Sequence, residues 1–370
     1  MRCLFLAPLK PPDHPVPSGE RTMARLFMKL LATLGYEVTL ASELRTYAAT
    51  PAPERWAALE AAAVDEVERL AQETVDAPVA MVFAYHVYYK APDLIGPALA
   101  RRLGVPYVVA EASRAPKRAI GPFAHGHFLA EQAIDAARLV LAPTENDRET
   151  LDRLKPPGQS VTDLKPFLDL TEWPQAGAPR ADSGRRLITV AMMRPGDKLA
   201  SYRQLAQALA RIGNRDWTLA VVGDGPARAE VEAALAPFGS RVSFHGAVSG
   251  RTALGRLYAT ADLFVWPGVN EAFGAVYLEA QAHGLPCLAG DYGGIADTMR
   301  VGETGLLIPA GDIEAYAQAL ADLLDDEPRR TSMGAAAARF IATERTLAVA
   351  ADHAARALRE AGIPVPGDRA

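Results

Sequence analysis

The chain has 370 residues, 49% of them apolar and 22% charged, with a formal net charge of −5. That is the composition of a soluble globular protein long enough for two domains. The acidic balance argues against a general nucleic-acid binder, Cys3 and Cys287 make neither a disulfide framework nor a zinc pattern, and no apolar run reaches the roughly 18 residues of a membrane span.

The first predicted strand is Cys3-Leu4-Phe5-Leu6-Ala7, a continuous apolar run of the kind buried in a parallel sheet. The run to Leu9 is too short for the core of a signal peptide and meets Pro11-Pro12, so a cytoplasmic chain is expected, with contact at the inner face of the membrane left open. Ser18-Gly19-Glu20 then opens a helix with Met23, Leu26, Phe27, Leu30, Leu31 and Leu34 at helical spacing, and Gly35 ends it. Glu37 to Ala41 reads as a strand, and residues 54–72 as an Ala-rich amphipathic helix. Further strands run from Val79 to Tyr85, ending at His86, from Val105 to Ala110, ending at Glu111, and from Leu139 to Pro143. Strand and helix alternating in this way predict a parallel, doubly wound sheet. A lone His at a strand end is more often structural than catalytic. Arg114, Lys117 and Arg118 fit a solvated loop as well as they fit contacts to an anionic acceptor or a membrane surface.

Thr171 to Arg186 carries Pro174, Gly177, Pro179 and Gly184 and reads as a linker. Alternation resumes with a strand at Leu187–Ala191 and a helix face marked by Leu199, Tyr202, Leu205, Leu209 and Ile212. Between them Arg194-Pro195-Gly196-Asp197-Lys198 places two cations after a strand end, where a planar guanidinium and an ammonium can clamp a diphosphate or simply face solvent. Trp217 to Val222 is a strand closed by Gly223-Asp224-Gly225-Pro226. That turn fails the dinucleotide fingerprint, because Arg228 stands where the third Gly belongs. Later strands are expected at 242–246, 286–289 and 305–309, and helices at 312–325 and from 328 onward.

One stretch organises the second half. Leu263-Phe264-Val265-Trp266-Pro267 is a short apolar strand, and a helix ends near Gly284. Between them lies Asn270-Glu271-Ala272-Phe273-Gly274-Ala275-Val276-Tyr277-Leu278-Glu279. Glu271 falls in the strand-to-helix loop and Glu279 about two turns into the helix. Gly274 lets backbone approach a ligand at the helix N-terminus, whose free N–H groups suit a phosphate. A carboxylate on each side of a phosphate cradle suits a nucleotide-sugar. Taken alone, the two Glu also fit a surface pair that supports the helix dipole. A glycosidase acid/base pair is disfavoured, because eight helical positions span about 12 Å and such pairs lie roughly 5 to 9.5 Å apart.

Glu271-x7-Glu279, the following Gly293-Gly294-Ile295-Ala296-Asp297, Gly302 to Pro309 and the upstream Val221 to Pro226 together resemble the C-terminal domain of retaining GT-B glycosyltransferases of family 4, the glycosyl transferases group 1 domain. The resemblance is strong over about residues 185 to 345 and weaker before them. It implies an α/β fold of two Rossmann-like domains whose parallel sheets face a central cleft: an acceptor-side domain at 1–170, the linker at 171–186 and a nucleotide-sugar domain at 187–345, with a helix at 346–361 crossing back. It implies transfer of a hexose-type sugar from a nucleoside diphosphate to an acceptor, with retention of configuration and with no metal or other cofactor. Arg194 and Lys198, with backbone N–H groups around Ala272, Phe273 and Gly274, would hold the diphosphate. Glu279 would take the ribose diol and Glu271 the sugar. Gly225 would lie near the base. The spacing of Arg194 and Lys198 is shorter than the family's usual step. Ser18-Gly19-Glu20 resembles the family's N-terminal glycine loop, which faces the diphosphate, with Gly19 alone where a pair is usual. Glu111 stands where many members carry a His that contacts the sugar. His86, Glu111 and Lys117 are the sugar and acceptor candidates. The acceptor, whether glycan, lipid or small molecule, is not named by these residues. The rival readings are a nucleotide-sugar epimerase on the same fold and a catalytically idle nucleotide-binding protein.

Overall fold

The computed structural model describes residues 1–15, 18–75, 78–173 and 184–368. Most of the expected linker, residues 174–183, therefore lies outside the described residues. The chain divides into two compact units, Met1–Lys165 with Ala348–Ala370, and Pro166–Leu347.

The first unit runs β1 (Arg2–Leu6), α1 (Gly19–Thr33), β2 (Glu37–Ser42), α2 (Pro53–Glu73), β3 (Val79–Val87), α3 (Gly96–Leu103), β4 (Tyr107–Ala112), α4 (Ala124–Asp135), β5 (Leu139–Ala142), α5 (Glu145–Leu154) and β6 (Ser160–Asp163). Its six strands are all parallel, in the order β2-β1-β3-β4-β5-β6. The central strands read as unbroken apolar runs because helices cover both faces, and Met81 to Tyr85 are almost wholly buried. β6 is not evident in the sequence: Ser-Val-Thr-Asp is a half-buried edge strand with no apolar run to mark it.

The second unit runs β7 (Arg186–Val190), α6 (Asp197–Arg211), β8 (Thr218–Val222), α7 (Arg228–Leu235), β9 (Val242–Gly246), α8 (Arg251–Thr260), β10 (Leu263–Trp266), α9 (Ala275–Ala282), β11 (Cys287–Gly290), β12 (Gly305–Ile308), α10 (Ile313–Asp325) and α11 (Glu327–Glu344). Its strands are also parallel, in the order β12-β11-β10-β7-β8-β9. The order reverses between β10 and β7, the place where ligands of open α/β sheets bind. Tyr202, Trp217, Tyr258, Phe264, Trp266 and Tyr277 fill one apolar core. The two parallel sheets with flanking helices are the GT-B architecture.

The unit boundary precedes the expected linker. Leu168 forms a β-bridge with Thr346 and packs with Leu278, Phe340 and Ile341, which ties residues just after Lys165 to the second unit. The last helix, α12 (Leu347–Glu360), and the tail after it belong with the first unit. There Arg138 Nε donates to the Ala361 carbonyl at 2.9 Å, and the Tyr36 hydroxyl donates to the Pro364 carbonyl.

Candidate functional site

Chain reversal at β10 creates the first half of the site. Gly268 and Asn270 hold left-handed backbone, φ +70 and +50, so the loop from Pro267 turns sharply before α9. Val269 N–H donates to Ser201 Oγ at 2.9 Å, and Asn270 Nδ2 donates to Asp197 Oδ1 at 2.9 Å, which anchor the loop on α6. Glu271 follows. Its carboxylate accepts from Lys198 Nζ in the first turn of α6, and from Trp266 Nε1 at 3.4 Å. Both members of the ion pair are largely sheltered yet keep part of their side chains exposed, 25% for Lys198 and 17% for Glu271.

Glycines close this loop tightly. Gly274 caps α9 at φ +71, and a Cβ there would come within 2.9 Å of Glu271 Cγ. A Cβ on Gly293, at φ +55, would lie 2.0 Å from the Glu271 carbonyl oxygen. Gly294 N–H donates to the Ala272 carbonyl at 2.6 Å. The pair Gly293-Gly294 thus seats directly on the Glu271-Ala272 backbone. Ala272 is exposed and Phe273 is buried. No backbone carbonyl among the described residues accepts from the N–H of Phe273 or Gly274, at the end of the helix that carries partial positive charge.

Glu279 lies in the second turn of α9 and accepts from the Tyr258 hydroxyl at 3.1 Å. Burial pushes its carboxyl above the ordinary carboxylate range, opposed by the Tyr258 hydroxyl and the charge of Arg251. The Tyr258 ring stacks on His283, with centroids 5.2 Å apart, and His283 Nδ1 bonds the Glu279 carbonyl at 2.8 Å. Tyr258 and Ser201 escape a sequence reading, since each sits on an ordinary helix with no motif around it.

Arg194 lies in the loop between β7 and α6, exposed, and its guanidinium has no partner among the described residues. It is not joined to the Lys198–Glu271 pair. Gly223 and Gly225, φ +143 and +153, pack on this same loop: added Cβ atoms would lie 1.9 Å from the Ala191 carbonyl oxygen and 2.3 Å from that of Met193. Close backbone packing by itself therefore requires Gly225, whatever it does for a nucleotide.

In the first unit, Ser18 caps α1 and its Oγ accepts from Arg21 N–H at 3.3 Å. Gly19 occupies the first helical position, with open space where a Cβ would stand. Glu20, beside it, meets His86 and Tyr85: His86 Nδ1 is 2.7 Å from Glu20 Oε2, and the Tyr85 hydroxyl donates to the same oxygen at 3.3 Å. Glu111 Oε1 is 3.2 Å from His86 Nδ1. The candidates His86 and Glu111 are therefore brought together, and Glu20, which only its place after Ser18-Gly19 could have flagged, joins them. Burial opposes charge on the imidazole, but the two carboxylates overcome it and hold His86 at about 9. Burial raises Glu111 to about 7 despite the imidazole beside it. Lys117 does not join the cluster. It lies exposed in a single 3-10 turn, Pro116–Arg118. Arg114, grouped with it in the sequence, is buried against Glu131 and Asp135. Among the described residues no helix is long and apolar enough to cross a membrane.

Comparison with known proteins adds to this geometry. Residues 184–326 match the model of the family described as glycosyl transferases group 1. The chain is 31% identical over 271 residues to the GDP-mannose-dependent alpha-(1-6)-phosphatidylinositol monomannoside mannosyltransferase of Mycolicibacterium smegmatis, covering 66% of this chain and 67% of that one. It is 47% identical over 81 residues to the D-inositol 3-phosphate glycosyltransferase of Corynebacterium aurimucosum, a match spanning 22% of this chain and only 19% of the relative. Among solved structures, sucrose-phosphate synthase from Thermosynechococcus elongatus superposes with a TM-score of 0.74 at 18% identity, over 97% of this chain and 99% of that one. Anabaena Alr3699/HepE in complex with UDP superposes with a TM-score of 0.72 at 15% identity, over 97% and 100%.

Proposed function

Because the chain belongs to the glycosyl transferases group 1 family, we propose that it moves a hexose-type sugar from a nucleoside-diphosphate-sugar to an acceptor, with retention of configuration, as a member of family 4. The observation that carries this reading is the pair of carboxylates bracketing the N-terminus of α9. Glu271 is held by Lys198 on one side, and Glu279 is held by Tyr258 on the other.

In this reading Glu279 accepts both hydroxyls of a ribose, since the paired oxygens of a carboxylate match a vicinal diol. The N–H groups of Phe273 and Gly274 bind the diphosphate at the positive end of α9. Lys198, with Arg194 from the loop just before α6, neutralises charge that builds on the leaving nucleoside diphosphate. Glu271 faces the sugar and stabilises an oxocarbenium-like transition state. The leaving phosphate takes the acceptor's proton, so the chain supplies no separate base. No metal takes part. The names of relatives support a polyol acceptor: a D-inositol 3-phosphate, and a phosphatidylinositol monomannoside. UDP in HepE supports a nucleoside-diphosphate donor.

A thermal-shift screen with UDP, GDP, ADP and TDP and their sugar conjugates tests the reading. A ligand at about 100 times its dissociation constant adds roughly 2.7 kcal/mol to the folded state. One nucleotide should stabilise the wild type and lose its effect in Glu279→Ala. Stabilisation by none of them at millimolar concentration refutes the donor site. Product formation only with acceptor present separates a transferase from an epimerase.

A further inference from the structure

The donor-site reading leaves unused the cluster at the ends of β3 and β4. Three elements converge there on one imidazole nitrogen: Glu20 from the first turn of α1, His86 from β3 and Glu111 from β4, with Nδ1 at 2.7 Å from Glu20 and 3.2 Å from Glu111. His86 and Glu111 both hold left-handed backbone, φ 60 and 59, a conformation that non-glycine residues rarely adopt. Strain, two carboxylates and a sheltered imidazole at the C-terminal ends of parallel strands mark a place where ligands bind. His86 keeps 15% of its side chain exposed, and no group among the described residues bonds its Nε2.

We propose that Glu20 is a positioning residue that, with Glu111, grips the His86 imidazole through Nδ1 and leaves its Nε2–H as a donor to an oxygen of a substrate's polyol ring. The proposal rests on the transferase reading for the word substrate, not for the geometry. An imidazolium donates from both nitrogens. With Nδ1 committed to carboxylates, only Nε2 remains for a ligand. The ligand is a polyol, not a phosphate, on charge grounds. Two carboxylates beside one imidazolium leave the cluster neutral at best, and Asp147 from α5 adds negative potential that Lys10, near Glu20, offsets. A sugar or cyclitol ring offers both acceptors for Nε2–H and hydroxyl donors for the carboxylate oxygens. The Tyr88 ring, 5.0 Å from the imidazole, adds an aromatic face of the kind sugars pack on.

The test is an NMR titration of protein labelled with 15N-histidine, as wild type, Glu20→Gln and Glu111→Gln. His86→Asn assigns the resonance, and Asn tolerates the left-handed backbone. In the wild type His86 stays protonated beyond pH 8, and Glu20→Gln lowers its midpoint by a unit or more. An unchanged midpoint overturns the positioning role. Methyl α-D-glucopyranoside and myo-inositol should each be added, and inorganic phosphate beside them. Movement of the His86 Nε2 resonance with either polyol, and not with phosphate, supports the proposal. Movement with phosphate alone, or with none of the three, overturns it. On the donor and acceptor pair found by the screen above, Glu20→Gln should raise by about 10-fold the KM of the substrate whose ring meets His86. A rise for the donor identifies the transferred sugar, and a rise for the acceptor identifies its polyol. No rise for either overturns the proposal. Failure of the transferase reading itself would show as absent nucleotide stabilisation with the histidine titration intact.

Discussion

Lys198, in the first turn of α6, forms an ion pair with Glu271, which lies 73 residues further along the chain in the loop before α9. Adjacent β7 and β10 make this possible, since each strand delivers its own loop to the same sheet end. If the pair serves the transfer step, Lys198→Ala and Glu271→Gln should each lower kcat by about 100-fold or more, the scale of removing a preorganised charge from a reacting centre. The double variant should lose less than the product of the two losses, because the partners act as a unit. Steady-state kinetics on the three variants decides it, and independent, multiplicative losses would refute the coupling.

Glu279 should govern nucleotide affinity and not turnover. Glu279→Gln is expected to weaken binding by about 10- to 100-fold, the loss of hydrogen bonds to a charged group. Tyr258→Phe should weaken it by less, because the carboxylate keeps its place and loses one 3.1 Å bond. Calorimetric titration with the nucleotide found in the screen measures both.

Gly293 is a steric requirement of the loop that carries Glu271. Gly293→Ala puts a Cβ 2.0 Å from the Glu271 carbonyl oxygen at φ +55, so the backbone of one strand end has to move. A loss of about 1–3 kcal/mol is expected by chemical denaturation, with nucleotide binding weakened as well. Gly19→Ala is the control: with open space at its Cβ, it should leave stability within about 0.5 kcal/mol of wild type.

Arg330 holds the end of α10. It is buried, and its guanidinium donates to the carbonyls of Leu323, Leu324 and Gly184 at 2.6, 3.1 and 3.1 Å. Arg330→Leu strands those carbonyls and should cost roughly 2–3 kcal/mol, read from the denaturation midpoint without change in nucleotide affinity.

The pH dependence of stability follows from His86. Its folded value of about 9 lies above the unfolded 6.5, so the folded state binds the extra proton between them. That contribution is whole below pH 6.5 and is lost as pH rises through about 9. Glu111, raised to about 7 from 4.5, acts in the same sense over a lower window. The melting temperature should therefore fall from neutral pH towards pH 9, and His86→Asn should flatten that fall. A wild-type curve that rises over this window contradicts the assignment.

Local pattern by itself determined the strand–helix alternation and the bracketing of α9 by Glu271 and Glu279. A continuous apolar run such as Met81 to Ala84 reads as a buried parallel strand, and Gly274 marks the close backbone approach at the start of α9. Edge strand β6 was not legible, because an edge strand needs no apolar run. Nor could the sequence say that Lys198 meets Glu271, that Tyr258 bonds Glu279, or that Glu20 and Glu111 share one imidazole. Those contacts join residues 73, 21 and 66 positions apart, or neighbours across β3 and β4. They depend on which strands lie side by side. Periodicity is a property of one segment at a time, whereas strand order is decided by the packing of all of them around a common core.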